Sequence, residues 1–398
     1  MERDADPIEA EILPSDEAGA LVPFDGSTLP SAEVVFLNDQ ARQRRRKVVF
    51  DGTAENTRRG YASDFRYLEA YYRIAFGIDL ANPGTYPLPV EAVERFILDH
   101  VEGLDPAVEA AMLAEEVRRS EGPHAIATVE RRLATLATLH RKAGQASPTL
   151  DYRVRELLIK SRKALAARGV PKSPNRKKAA TRDEVLGLML DTCGDTLEGI
   201  RDRALLCVGF ASGGRRRSEI VSFMIEDVEA RGRNYVLRLR KSKTDQSGVG
   251  RDLPVKNMAA EALRKWLKTL AEHGITGGPL FRAVSDEGDY ADPTGQRPPR
   301  RKKAKVIVRT KSVGGEKVIV GLNPRAVADI VKKRAALAGL DPSLYSGHSL
   351  RSGFVTTGGA DGVPLPELME LTGHASIQQA REYYQSGAVL NNRGADLL

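Results

Sequence analysis

Residues 214–220 read GRRRSEI, and the stretches on either side of them decide how the second half of this chain is built. Before them, residues 197–214 (LEGIRDRALLCVGFASGG) carry a helical pattern that Gly213 and Gly214 stop, as glycines commonly do at helix ends. The GRRRSEI segment then opens a new helix, and the spacing of three between Arg216 and Glu219 puts both side chains on one face. Further upstream, Thr181-Arg-Asp-Glu184 has the form of a capping box at a helix start. Downstream, Tyr235 to Arg240 and Arg251 to Val255 are β-type runs joined by KSKTDQSGVG (241–250), whose Gly and Ser residues suit a hairpin loop. A helix over about 258–273 carries Trp266. Residues 284–320 are irregular, with the basic insert RPPRRKK (297–303) and a second hairpin in KVIVRTKSVGGEKVIVG (305–321). Helices start near Pro324, Ser346, Pro364 and Ala375, so the class is α+β, mainly helical.

The first half reads differently. In residues 53–77 (TAENTRRGYASDFRYLEAYYRIAFG), Tyr61, Phe65, Leu68 and Tyr72 form one apolar stripe at helical spacing. Residues 89–104, 107–122 and 128–144 continue the pattern, making an all-α domain over 51–165. Its polar faces carry Arg58, Arg59, Arg131 and Arg132, which suit a phosphate backbone or an ordinary wet surface. Between the halves, residues 166–180 combine Gly169, Pro171 and Pro174 with Lys172, Arg176, Lys177 and Lys178; this is a basic linker able to pass close to phosphates. Residues 1–50 are expected to be a flexible arm that turns from acidic to the basic block Arg42–Lys47, either a solvated tail or a phosphate contact. Residues 181–390 form the second domain and 391–398 a tail.

Composition excludes several classes. The 398 residues hold 61 Lys+Arg against 53 Asp+Glu, a net charge of +8, with 41% hydrophobic and 29% charged residues. That is a soluble globular protein whose basic excess suits a polyanionic partner. The longest clear apolar run, Ala204 to Ala211, is far short of the roughly 20 residues that cross a bilayer. The acidic N-terminus is unlike a secretory signal, so a cytoplasmic location is expected. Cys193 and Cys207 lack CxxC spacing and the six histidines form no HExxH or HxH cluster; no metal site and no cofactor are expected.

Two more motifs lie toward the C-terminus. In Gly347-His-Ser-Leu-Arg351, a helix would set the His348 imidazole beside the Arg351 guanidinium, one group that exchanges protons near neutrality and one that stays cationic. His374 follows a Gly at a helix entrance, and Tyr383 stands nine residues later, with Tyr384 pointing about 100° away from it. GxRRSE, a hairpin lysine, HxxR, then Gly-His with a tyrosine nine further on, in this order, resemble the catalytic half of the tyrosine recombinase (phage integrase) family. The resemblance spans about Thr181 to Tyr384, and the preceding helical region is similar to that family's core-binding domain. It implies an all-α core-binding domain followed by a mixed catalytic domain with a small antiparallel sheet.

What the resemblance implies transfers position by position. Arg216 and Arg351 match the catalytic arginines, Glu219 the acidic residue supporting the first, and His348 and His374 the two histidines. Lys243 matches the hairpin general acid, with Lys241 competing, and Tyr383 the nucleophile, with Tyr384 as runner-up. The implied activity is site-specific cutting and rejoining of duplex DNA through a 3′-phosphotyrosine, without metal or ATP, by four protomers in a synaptic tetramer. A Gly-Arg stands at 214–215 where Gly-Leu is common in the family, and the insert 297–309 is longer than in compact members. The chemistry agrees: phenolic attack on a phosphodiester builds negative charge on the non-bridging oxygens, which fixed guanidiniums can meet. Two rivals remain, a type IB topoisomerase relaxing one duplex and a DNA-binding protein with a silent site on the same scaffold.

Overall fold

The computed structural model describes residues 39–171, 177–242, 249–285, 288–290, 300–302, 304–313, 316–374 and 376–391. Lys172, Arg176, Lys243 and the tail beyond Asn391 lie outside them. The chain divides into two compact units, Met1–Pro174 and Asn175–Leu398.

In the first unit, α1 (Asp39–Gly52) contains the basic block 42–47 of the expected N-terminal arm, and that block is helical. Arg58 contacts the last turn of α1. Its guanidinium lies 3.8 Å over the Phe50 ring and donates to the Phe50 carbonyl at 2.8 Å, holding that last turn against α2 (Glu55–Phe76). The buried face of α2 is Asp64, Tyr67, Leu68, Tyr71 and Tyr72, turned from the expected stripe so that Tyr61 is 40% exposed. This face packs with α3 (Val90–Glu102), α4 (Pro106–Ala114), α5 (Ile126–Lys142) and α6 (Tyr152–Ala167) around Phe96, Ile97, Val129 and Leu136.

A polar cluster sits inside this apolar core. The Tyr67 hydroxyl is 2.8 Å from His100 Nε2 and 2.9 Å from His124 Nε2, and Arg118 donates to His124 at 2.9 Å. Arg132, expected on a wet face, is 8% exposed: its guanidinium stacks 3.2 Å from the Tyr67 ring centre. Arg131 is ion-paired with buried Asp64, and Arg59 with Glu55 on the same helix.

The second unit begins with a π-type turn (Arg182–Leu186) leading into α7 (Gly187–Asp191). The reciprocal capping box expected at Thr181 is not formed; Thr181 donates to the Glu184 carboxylate at 3.3 Å, and the Arg182 N–H is taken by Thr357 Oγ1 at 3.0 Å. α8 (Leu197–Ala211) follows, then the short α9 (Arg217–Ile220). β1 (Val228–Arg231), β2 (Asn234–Leu239) and β3 (Arg251–Val255) form an antiparallel sheet in that order, and α10 (Asn257–Glu272) puts Trp266 in the core with Leu205, Ile220 and Leu350.

Of the basic insert, residues 300–302 are described and form a strand, and paired strands stand where 284–320 was expected to be irregular. β4 (Ala283–Ser285) pairs with β7 (Lys305–Ile307), and β5 (Gly288–Tyr290) with β6 (Arg300–Lys302), in one register from Ala283↔Ile307 to Tyr290↔Arg300. β8 (Arg309–Val313) and β9 (Glu316–Val320) make the expected hairpin. α11 (Pro324–Leu337), α12 (Gly347–Ala360), α13 (Leu365–Thr372) and α14 (Ile377–Gly387) complete the unit. Cys193 and Cys207 are buried free thiols. Among the described residues, no helix is long and apolar enough to cross a membrane.

Burial, with the nearby Arg132 and Arg118, pushes His100 down to about 2 and His124 to about 3, so both are neutral in the fold. In the unfolded chain they bind protons near pH 6.5. Their cost to stability is therefore absent above that pH and grows below it, by about 1.4 kcal/mol per pH unit for each imidazole until the folded values are reached. Melting the full chain at pH 7.5 to 4.5 should show an early loss of helical signal below pH 6 that exceeds the change in Trp266 fluorescence from the other unit, where burial and nearby arginines push His374 down less far. A midpoint that stays flat across that range contradicts the account.

Candidate active site

The site is assembled where the turn after α8 meets the first turn of α12. Gly213 and Gly214 take φ of +98° and +63°, the left-handed region that suits glycine. A Cβ on Gly214 would run into the Cα of Arg351, so only glycine lets the two segments approach this closely. The turn delivers Arg216 to the position before α9, where its backbone N–H donates to Glu219 Oε2 at 3.1 Å and its Nη1 donates to Glu219 Oε1 at 2.7 Å. Arg216 and Glu219 thus meet as their spacing implied, through a helix start rather than along a helix face.

Arg351 is 4% exposed. It donates through Nη1 to the Gly214 carbonyl at 3.3 Å and through Nε to His374 Nε2 at 3.2 Å, while its buried Nη2 has no hydrogen-bond partner. A guanidinium only donates, so His374 Nε2 accepts and the imidazole proton sits on Nδ1. Nδ1 then donates to the Thr372 hydroxyl at 2.8 Å, whose own proton reaches the Met369 carbonyl at 3.3 Å. Burial and the charges of Arg351 and Arg216 push His374 down to about 4, consistent with this neutral form. Burial and the neighbouring Arg216 and Arg215 push Arg351 down to about 10, still fully cationic at neutral pH.

The tyrosine arrives on α14, which packs closely on α12. A Cβ on Gly387 would meet the Thr356 carbonyl, and Thr356 Oγ1 donates to the Tyr383 carbonyl at 3.2 Å. This brings the Tyr383 hydroxyl to 3.3 Å from His348 Nε2, with His348 exposed on the first turn of α12. Beside these groups lies a cleft of about 280 Å³ whose lining includes Arg215, Arg216, Glu219, Arg251, Thr372 and Gly373. Its wall from β2 and β3 includes Ser242 and Val249, the described residues flanking the 243–248 segment that holds Lys243.

The family model described as the phage integrase family matches residues 179–388. The chain belongs to the phage integrase family. Along nearly its whole length this family member is similar to an integrase/recombinase xerD homolog of Selenomonas ruminantium, 28% identical over 367 residues that cover 89% of each chain. It is also similar to tyrosine recombinase XerD of Mycobacterium tuberculosis, 26% identical over 342 residues covering 83% of this chain and 88% of the relative. Among solved structures, it resembles a lambda integrase (75–356) dimer bound to a COC′ core site at TM-score 0.48 and 15% identity, over 87% of this chain and 94% of that one.

Of the residues singled out in the sequence, Arg216, Glu219, His348, Arg351, His374 and Tyr383 lie within this one phage-integrase unit, in contact as the pairs Arg216–Glu219, Arg351–His374 and His348–Tyr383. Arg58, Arg59, Arg131 and Arg132 belong to the other unit, each engaged with a neighbour there. Lys177 donates to the Ser343 carbonyl at 2.7 Å, and the Lys178 backbone N–H to the Leu344 carbonyl at 2.8 Å. Sequence reasoning passed over Thr372 and the burial of Arg215. The first had a signal, a hydroxyl two residues before His374; the second had none, because three consecutive arginines look alike until one is enclosed.

Gly214→Ala should destabilise the protein by about 1–2 kcal/mol from left-handed strain alone, and by more from the collision with Arg351. Gly60→Ala, within α2 with open space around the added methyl, should stabilise by roughly 0.5–1 kcal/mol. Urea denaturation of the two variants measures both; equal effects would contradict the close approach at Gly214.

Proposed function

We propose that this chain is a site-specific DNA recombinase that cuts and rejoins duplex DNA through Tyr383. The observation that carries the reading is the unpartnered Nη2 of buried Arg351. A buried donor without an acceptor is costly, and an anionic oxygen placed beside Arg216 would satisfy it. In the proposed step the Tyr383 oxygen bonds to phosphorus, the bond from phosphorus to the 5′-oxygen breaks, and the phenolic proton passes to His348 Nε2, 3.3 Å away. Arg216 and Arg351 meet the charge that develops on the non-bridging oxygens. Lys243 is assigned to protonate the leaving 5′-oxygen. The phosphotyrosine ester conserves the broken bond's energy, so a new 5′-hydroxyl reverses the step with neither water nor a nucleotide consumed.

Exchange between two duplexes requires four strand cuts, and one Tyr383 per chain then means four protomers acting together. The helical first unit, with Arg59 on its exposed face and the basic linker through Lys172 to Lys178, is assigned to grip the duplex.

Incubated with nicked duplex carrying its site, the wild-type chain should leave denaturant-resistant protein on a DNA 3′ end. Tyr383→Phe should abolish this adduct and Tyr384→Phe should preserve it; the reverse pattern overturns the choice of nucleophile. Arg351→Ala should slow adduct formation by roughly 10²- to 10³-fold, the usual effect of losing one transition-state donor. The logarithm of affinity should fall by about 0.9 per neutralised phosphate for each tenfold rise in salt. An affinity indifferent to salt contradicts phosphate-led binding.

A further inference from the structure

We propose that Arg215 is a positioning residue for the strand-transfer site, clamping the Arg216 turn to the segment that carries His374 and adding a fixed positive charge behind the phosphate. The proposal rests on the recombinase reading above and extends it to a side chain which that reading does not use.

The geometry is specific. Arg215 is 2% exposed, yet it follows a glycine turn and precedes the short α9 at the edge of the cleft. Its Nη2 reaches across the turn to the carbonyls of Gly213, at 3.4 Å, and of Leu371, in the last turn of α13 just ahead of Gly373 and His374. A Cβ on Gly213 would fall 2.7 Å from this Nη2, so the glycine makes room for the crossing guanidinium. On its other side, Arg215 Nη1 is 3.7 Å from Glu219 Oε2, part of the same carboxylate that holds Arg216 at 2.7 Å. Arg215 therefore joins three parts of the site: the turn, the carboxylate and the approach to His374.

Electrostatics gives the second half of the role. Arg215 and Arg216 pair with a single carboxylate, Glu219, while Arg351 and the cleft-lining Arg251 add further positive charge beside it, so the site carries an excess of positive charge. Buried charge without a counterion is unfavourable in the free protein. A phosphodiester brings one negative charge and its five-coordinate transition state brings two, so the mismatch is relieved most fully at the transition state. Without Arg215, Glu219 would cancel half of what Arg216 and Arg351 supply. A buried apolar side chain at this position would hold the turn by packing but offer neither the bond to Leu371 nor the charge.

The test uses the full chain with Arg215→Leu, which keeps bulk without charge, and Arg215→Lys, which keeps charge without the fork. Two readouts are needed. The first is single-turnover attachment to a nicked duplex recovered by wild-type selection from a random-sequence pool, alongside affinity for the same duplex. The second is the NMR titration of the His374 imidazole in DNA-free protein, where Arg351, Arg216, His348 and Arg215 are the charges acting on it.

Arg215→Leu should bind DNA within about twofold of wild type but form adduct roughly tenfold more slowly, a smaller loss than for a donor touching phosphate. Arg215→Lys should recover part of that rate. His374 should titrate at higher pH in Arg215→Leu and shift less in Arg215→Lys. Adduct formation within twofold of wild type in folded Arg215→Leu, or an unmoved His374 titration in both variants, overturns the proposal. If Arg215→Leu does not fold, Arg215→Lys decides: a slowed rate with unchanged affinity supports the clamp, and a wild-type rate overturns it. Failure of the wild-type chain to form any adduct would instead refute the recombinase reading, while the His374 titration still reports on Arg215.

Discussion

Glu219 is 3% exposed, and its two oxygens are divided among the Arg216 backbone N–H, the Arg216 guanidinium and, at longer range, Arg215. The carboxylate is pinned because it sits one turn into a short helix whose start is set by the Gly213–Gly214 turn, itself wedged under Arg351. Moving any one of these parts moves the others. A site built this way is stiff, and stiffness is what electrostatic catalysis needs, since donors already in place spend nothing on reorganising when charge develops. The same stiffness explains the neutral His374: fixed between Thr372 and Arg351, it orients the guanidinium and keeps its proton on the far nitrogen.

Much of this was legible in the sequence, and the losses have physical reasons. HxxR spacing fixed that His348 and Arg351 share an early turn of α12, but not that one would face outward to Tyr383 and the other inward to His374, since spacing reports a helix face and not what packs on it. The helix expected from GRRRSEI spans only Arg217–Ile220, with the Glu219 carboxylate bonded back to the Arg216 N–H at its start. Arg132 is enclosed because its guanidinium stacks on the Tyr67 ring, which offsets part of the cost of burying the charge, and the polar pattern along α5 does not show that ring. The basic block at 42–47 was assigned to an arm for lack of an apolar stripe, yet it is helical, anchored at its end by the contact between Phe50 and Arg58, residues eight apart.

The two units bury polarity in different ways. In the first, Tyr67, His100, His124 and Arg118 hydrogen-bond one another inside an aromatic core, while Arg118 Nε and two nitrogens of Arg132 have no hydrogen-bond partner. In the second, away from the site, Asp202 is enclosed between Arg201 and Arg334, a charge-paired knot tying α8 to α11. In the second unit Arg351 Nη2 and Arg215 Nε are buried guanidinium nitrogens without hydrogen-bond partners.

The ribbon from Ala283 to Ile307 keeps one pairing register along the lengths described, with Val306 and Val284 seated in the core at its base. Because side chains alternate faces along a strand, adding one residue to a single strand near the base would swap those valines outward, whereas matched additions to both strands near the tip leave them in place. The root of this appendage is therefore tied to those two valines, and a change of length that keeps them inward has to be matched on both strands.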